Sequence, residues 1–195
     1  VIQKFNAFTV IPKYRRSQTA FDVHVDGVRA PVARARKDSS FGSLSRYTVH
    51  SEPQLEFEGF VTPFKATIPG SGEVGSVDHR VPILGKTQWI FAQKNMPELR
   101  GVPSGINSTV RHTFPISIVG DNSLLDAVFS FRLHFRAPES DGFELTRLAG
   151  ARARFRVKVH DDRVSRLLIL CSVVHFARYA TADPVEYAVS LTSFD

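Results

Sequence analysis

The chain has 195 residues, 43% of them hydrophobic, and a formal net charge of +6. That apolar fraction supports a real core and excludes long disorder, while the length suits one domain, 1–195, uninterrupted by any linker. A single cysteine, Cys171, excludes an internal disulfide framework and a cysteine-based zinc site, and fits a reducing, cytoplasmic location. No stretch reads as a signal peptide. Residues 1–50 sum to +6 and residues 151–195 to +2, whereas each of the two middle stretches sums to −1. If the two ends meet in space they form one basic surface, suited to anionic lipid, nucleic acid or an acidic protein.

Strand signals recur along the chain between turn residues. Phe5 to Val10 is the first. Thr19 to Val25 alternates Phe21, Val23 and Val25 against Ala20, Asp22 and His24, and Asp26-Gly27 predicts a tight hairpin turn into Val32 to Lys37. Arg46 to His50, Leu55 to Phe60 and Phe64 to Ile68 continue the meander. Pro69-Gly70-Ser71-Gly72 reads as a turn before Val74 to Asp78. Thr87 to Gln93 follows, then a Pro- and Gly-rich stretch with a short strand near Leu99. His112 to Val119 is a strand weakened by Pro115, and Leu124-Leu125 a short helical turn.

Ala127 to Phe135 has the clearest alternation. Phe129, Phe131, Leu133 and Phe135 share one face, and Ser130, Arg132, His134 and Arg136 the other. Phe143 to Leu148 follows. Ala153 to His160 repeats the pattern, with Phe155, Val157 and Val159 inward and Arg152, Arg154, Arg156 and Lys158 on the opposite face. Asp161 and Asp162 sit where an N-cap and first-turn carboxylates belong, and predict a helix over about 162–180. Pro184 blocks its continuation, and Val185 to Leu191 reads as a final strand over about 185–191.

Within that helix, Leu167 to Ala177 is apolar on every face, so it should be buried all round. A bilayer span needs about 20 apolar residues, and this run is shorter. A sheet protein with one such helix near its end implies a closed antiparallel β-barrel around a buried C-terminal helix.

The hairpin Phe21-Asp22-Val23-His24-Val25-Asp26-Gly27, followed by Val32-Ala33-Arg34, resembles the repeating hairpins of LURP-one-related proteins. The segment Arg154-Phe155-Arg156-Val157-Lys158-Val159-His160-Asp161 leading into Leu167–Ala177 is similar to the end of the tubby C-terminal-like superfamily, which also holds the phospholipid scramblases. The resemblance implies a mainly β barrel of about twelve strands threaded by the helix. From tubby proteins it also implies phosphoinositide binding through basic surface residues. The chain departs from the pattern by continuing past the helix, over Thr181–Asp195, and by lacking the acidic calcium-binding segment of scramblases.

Few constellations suggest chemistry. Gly70-Ser71-Gly72-Glu73-Val74-Gly75 fits G-x-G-x-x-G, but the residues that follow are not helical, so a flexible turn is expected instead of a dinucleotide site. The seven histidines are scattered. His175 in the apolar helix is expected to be a satisfied core histidine, and His160 with Asp161 and Asp162 is explained by capping without a metal. Ser104 has the wrong spacing for a nucleophile elbow. Glu52, Glu56 and Glu58 read as a solvated face. No catalytic residue, metal or cofactor is therefore expected.

The basic set stands out: Arg152, Arg154, Arg156 and Lys158 on one strand, Arg34, Arg36 and Lys37 as a smaller set on another, and Lys13, Arg15 and Arg16 as a third. Like charges so spaced repel unless an acidic strand or an anionic ligand compensates. Either a facing row of carboxylates or an anion-binding surface accounts for them, Arg being suited to phosphate. The expected function is a non-enzymatic binding module that docks on anionic phospholipid or a membrane surface, peripheral to the membrane. A structural or protein-interaction barrel remains the alternative. Nucleic-acid binding ranks below both, because the aromatics are expected inside.

Overall fold

The computed structural model describes residues 1–15, 18–37, 46–80, 88–104, 131–148 and 153–179. Within them run β1 (Ala7–Arg15), β2 (Gln18–His24), β3 (Ala33–Lys37), β4 (Tyr47–Ser51), β5 (Glu56–Val61), β6 (Lys65–Ile68), β7 (Gly72–Arg80), β8 (Gln88–Gln93), β9 (Leu99–Pro103), β10 (Phe131–Ala137), β11 (Ser140–Leu148), β12 (Arg154–Val159) and the helix α1 (Arg166–Tyr179). Each strand pairs antiparallel with the next, and β12 pairs back with β1, so the sheet closes. The expected barrel around a C-terminal helix is the fold observed. The regions expected as a strand at His112–Val119, a turn at Leu124-Leu125 and a final strand at Val185–Leu191 lie outside the described residues.

Alternation decides what faces inward. In β12, Phe155, Val157 and Val159 are buried while Arg154, Arg156 and Lys158 are exposed. β10 does the same with Phe131, Leu133 and Phe135. Inside, the ring of Phe135 stacks on Phe143 at 4.7 Å, and Phe176 of α1 lies 4.1 Å from Trp89. Every residue of α1 from Arg166 to Ala177 is buried, as expected of a helix that fills a lumen. Such filling leaves little room for an apolar ligand.

Two glycines let the helix come close. A Cβ on Gly75 would lie 2.2 Å from the Ala92 carbonyl and 2.7 Å from Leu168 Cδ2. One on Gly59 would meet Leu167 Cδ2 at 2.8 Å. This explains why β7 starts at Gly72, where glycines predict a turn: Gly75 serves packing within the strand.

β1 also runs further than expected, through Pro12 to Arg15. Its register with β12 covers Ala7 to Val10 only, so Pro12 lies beyond that pairing, where a missing donor is tolerated. The β2–β3 connection is longer than the tight turn expected at Asp26-Gly27, and occupies residues 25–32.

The start of α1 differs from expectation too. Asp161 and Asp162 form the turn after β12, and Ser165 caps the helix, its Oγ accepting the Leu168 N–H at 3.3 Å. Asp161 instead accepts from Arg163 Nη2 at 2.7 Å and from the Ser140 hydroxyl. The Arg163 guanidinium holds its carboxyl well below the usual range, against a smaller upward push from burial.

Arg166, fully buried, closes this end of the barrel. Its Nε donates to the Phe5 carbonyl, its Nη1 to the carbonyls of Asp162 and Val164, and its Nη2 to Asn6 Oδ1 and Asp162 Oδ1. All five guanidinium donors thus have acceptors, which is what makes a buried arginine tolerable.

Candidate functional site

The outward side chains of β10, β11 and β12 form one wall. β12 contributes Arg154, Arg156 and Lys158, about 6.7 Å apart along the strand by ordinary strand geometry. β10 contributes Arg132, His134 and Arg136. Register places Thr9 and Thr146 on either side of Arg156, and Ala7 and Glu144 on either side of Lys158. Arg132 stands across Thr146, and His134 across Glu144. The strands flanking β12 therefore supply one carboxylate to the described register, where a full facing row would be needed to neutralise it.

That carboxylate, Glu144, lies 3.1 Å from His160 Nε2 and 3.8 Å from Arg132 Nε. His134 Nε2 bonds the Asp141 carbonyl at 2.8 Å, and its ring lies 5.5 Å from that of His160. Among the described residues, no carboxylate forms an ion pair with Arg154, Arg156, Lys158 or Arg136. Arg152 lies outside the described residues.

The second expected set is differently placed. Arg34 is opposite Asp22 across the β2–β3 ladder. Its Nε and Nη2 meet the two carboxylate oxygens at 2.5 and 3.3 Å, and Lys13 Nζ reaches Asp22 Oδ2 at 2.6 Å. Glu52 lies 3.9 Å from Arg34 Nη1. Asp22 is fully buried beneath these two cations. Burial pushes its carboxyl up, but the hydrogen bonds and charges of Arg34 and Lys13 prevail and hold it below the usual range. Arg34 and Lys13 are thus both engaged by Asp22. Arg36 is exposed across from Thr48, and Lys37 is half-buried across from Tyr47. β1 and β2 separate this strand from β12, so the two basic sets meet through the closed sheet but do not merge.

The remaining candidates have structural places. His175 Nδ1 donates to the Pro63 carbonyl at 2.6 Å, and its Nε2 faces His79 Nδ1 at 3.3 Å. Burial holds His79 below the ordinary imidazole range, with Asp78 opposing. Burial pushes the Cys171 thiol far above the ordinary range, so it is inert at neutral pH. Gly72 and Gly75 belong to a strand that continues to Arg80, so no helix N-terminus stands behind them to receive a phosphate.

Sequence reasoning left Arg132, Arg136, His134 and Glu144 out of the site. The first three share the outward alternation that revealed β12, and that was the usable signal. Among the described residues, no helix is long and apolar enough to cross a membrane. No protein-family model matches the chain, and no curated protein matches it in sequence.

Proposed function

We propose that this barrel is a non-enzymatic module that docks through the β10–β12 wall on an anionic phospholipid surface. The observation that carries the reading is the row Arg154, Arg156 and Lys158, exposed and met by a single carboxylate among the described residues, with Arg136 extending it across β10. Cations left in this state are an energetic burden without an anion to face. Each one near an anionic membrane contributes about 1 kcal/mol, screened by salt. The tubby-like resemblance adds weight, since a closed barrel around one apolar helix goes with it, as does a cytoplasmic, peripheral location.

The test is co-sedimentation with vesicles, neutral phosphatidylcholine against the same lipid with phosphatidylglycerol or phosphoinositide, at low and moderate salt. The protein should bind only the acidic vesicles, less at higher salt, and R154E/R156E should lose that binding. Equal binding by that variant would remove the wall from the reading.

A second reading, a protein-interaction barrel, is favoured by one observation on the opposite side. Leu55, in the β4–β5 turn, is 62% exposed with φ 57°, and Phe57 beside it is 41% exposed. A left-handed conformation costs an ordinary residue roughly 1–2 kcal/mol. Phe57 also packs on Phe60 and His50, and Arg46 lies over Phe60 at 4.1 Å. Self-association in sedimentation velocity that L55S/F57S abolishes would favour this reading over lipid docking.

A further inference from the structure

We infer that Arg156, bracketed by Thr9 and Thr146, is a seat for one headgroup phosphate, so that the wall holds phospholipid by directed hydrogen bonds as well as by its charge. This rests on the docking reading and names the chemical group recognised. Strand register brings the parts together. Arg132, Thr146, Arg156, Thr9 and His24 stand side by side on β10, β11, β12, β1 and β2. The two arginines are exposed and the other three side chains are half-buried, between inward neighbours that are buried. Every side chain in this row can donate a hydrogen bond, and none is a carboxylate. A phosphate is the complement of such a row, negative and an acceptor on each free oxygen.

The acids beside the row are committed elsewhere. Glu144 stands two residues along β11 from Thr146, across from Lys158, and its oxygens lie against His160 and Arg132. Asp22, two residues before His24, is held by Arg34 and Lys13. Since Arg132 shares Glu144, the anchor is Arg156, which is exposed and forms no ion pair among the described residues. The hydroxyls of Thr9 and Thr146 make no hydrogen bond among the described residues. Neighbouring strands lie about 4.8 Å apart, so each threonine is one strand spacing from the arginine, and an anion resting on the guanidinium is within reach of both. The guanidinium then supplies two parallel N–H donors and each threonine one O–H. A purely structural threonine on a strand contributes through its β-branched shape, which valine shares, so the hydroxyl separates the two roles.

The experiment is binding to phosphatidylcholine vesicles containing phosphatidylglycerol, at low and moderate salt. T9V/T146V keeps the shape and charge of the wall and removes both hydroxyls. It should bind about tenfold more weakly than wild type. Its salt dependence should match that of wild type, because no charge is lost, whereas R156Q should lose affinity and part of the salt dependence together. T9S/T146S puts the hydroxyls back and should recover wild-type binding. Circular dichroism of each variant confirms its fold. Wild-type binding by T9V/T146V, or binding by T9S/T146S as weak as that of T9V/T146V, overturns the inference and leaves the docking reading standing. Failure of the wild type to bind these vesicles, with phosphoinositide vesicles included, overturns both.

Discussion

β3 and β12 have similar outward sequences and different surroundings. One reads Ala33-Arg34-Ala35-Arg36-Lys37, the other Ala153-Arg154-Phe155-Arg156-Val157-Lys158. Both bury the small or apolar residues and turn the cations outward. Yet Arg34 lies in a close ion pair with a fully buried Asp22, while Arg156 stands between two threonines. Whether an arginine stripe is structure or surface therefore depends on the neighbouring strands that register places beside it.

The sharpest way to break this contrast is to remove one arginine from each strand. R34M strips a buried carboxylate of its two-point partner but leaves Lys13 on it, and should cost about 1–3 kcal/mol in urea unfolding, less than the about 3–5 kcal/mol of a wholly orphaned buried charge. R156M should change stability by less than about 0.5 kcal/mol, because the side chain is exposed and forms no ion pair among the described residues. Similar losses in both would show that the two stripes are alike.

Register also explains what could be read in advance. A two-residue turn at Asp26-Gly27 would pair Val25 with Val28 and set Pro31 against Asp22. The actual connection over residues 25–32 sets Arg34 there instead. No feature of β2 or β3 alone reports that shift, so Arg34 looked as available as Arg156. The barrel and its helix were legible because β10 and β12 alternate strictly and Leu167–Ala177 is apolar throughout. Ser165 as the cap and Gly75 as a packing residue were hidden by stronger local signals, the Asp161-Asp162 pair and a glycine-rich turn. Arg166 was hidden because its acceptors include the Phe5 carbonyl and the Asn6 side-chain amide, some 160 residues away in sequence.

A second effect is smaller and depends on acid. Asp22 titrates lower in the folded state than in the unfolded chain, so the unfolded state binds its proton first as pH falls. Its stabilisation is complete above about pH 4 and is lost as pH drops through the folded value. The stability gap between wild type and D22N should therefore be widest near neutrality and narrow below about pH 4. A gap that stays constant down to acid pH would mean that the pair adds nothing pH-dependent.

A further substitution of small effect on stability makes the wall resemble β3. T146E places a carboxylate across from Arg156 and should alter stability by no more than about 1 kcal/mol. Binding to acidic vesicles should fall by about fivefold or more, since one positive charge is neutralised where the membrane would sit. Undiminished binding would show that docking does not use this part of the wall.

The closure between β1 and β12 bears on how the chain is made. Residues 7–10 find their ladder partners at residues 155–158, and Arg166 finds acceptors at residues 5 and 6. During synthesis the early strands must wait for nearly the whole barrel to leave the ribosome before the sheet can close. Until then β1 has a free edge, and the inward aromatic faces lack the helix that will cover them. Contacts this distant in sequence fold slowly and leave sticky intermediates. The nascent chain is thus an expected client of chaperones until β12 and α1 have been made.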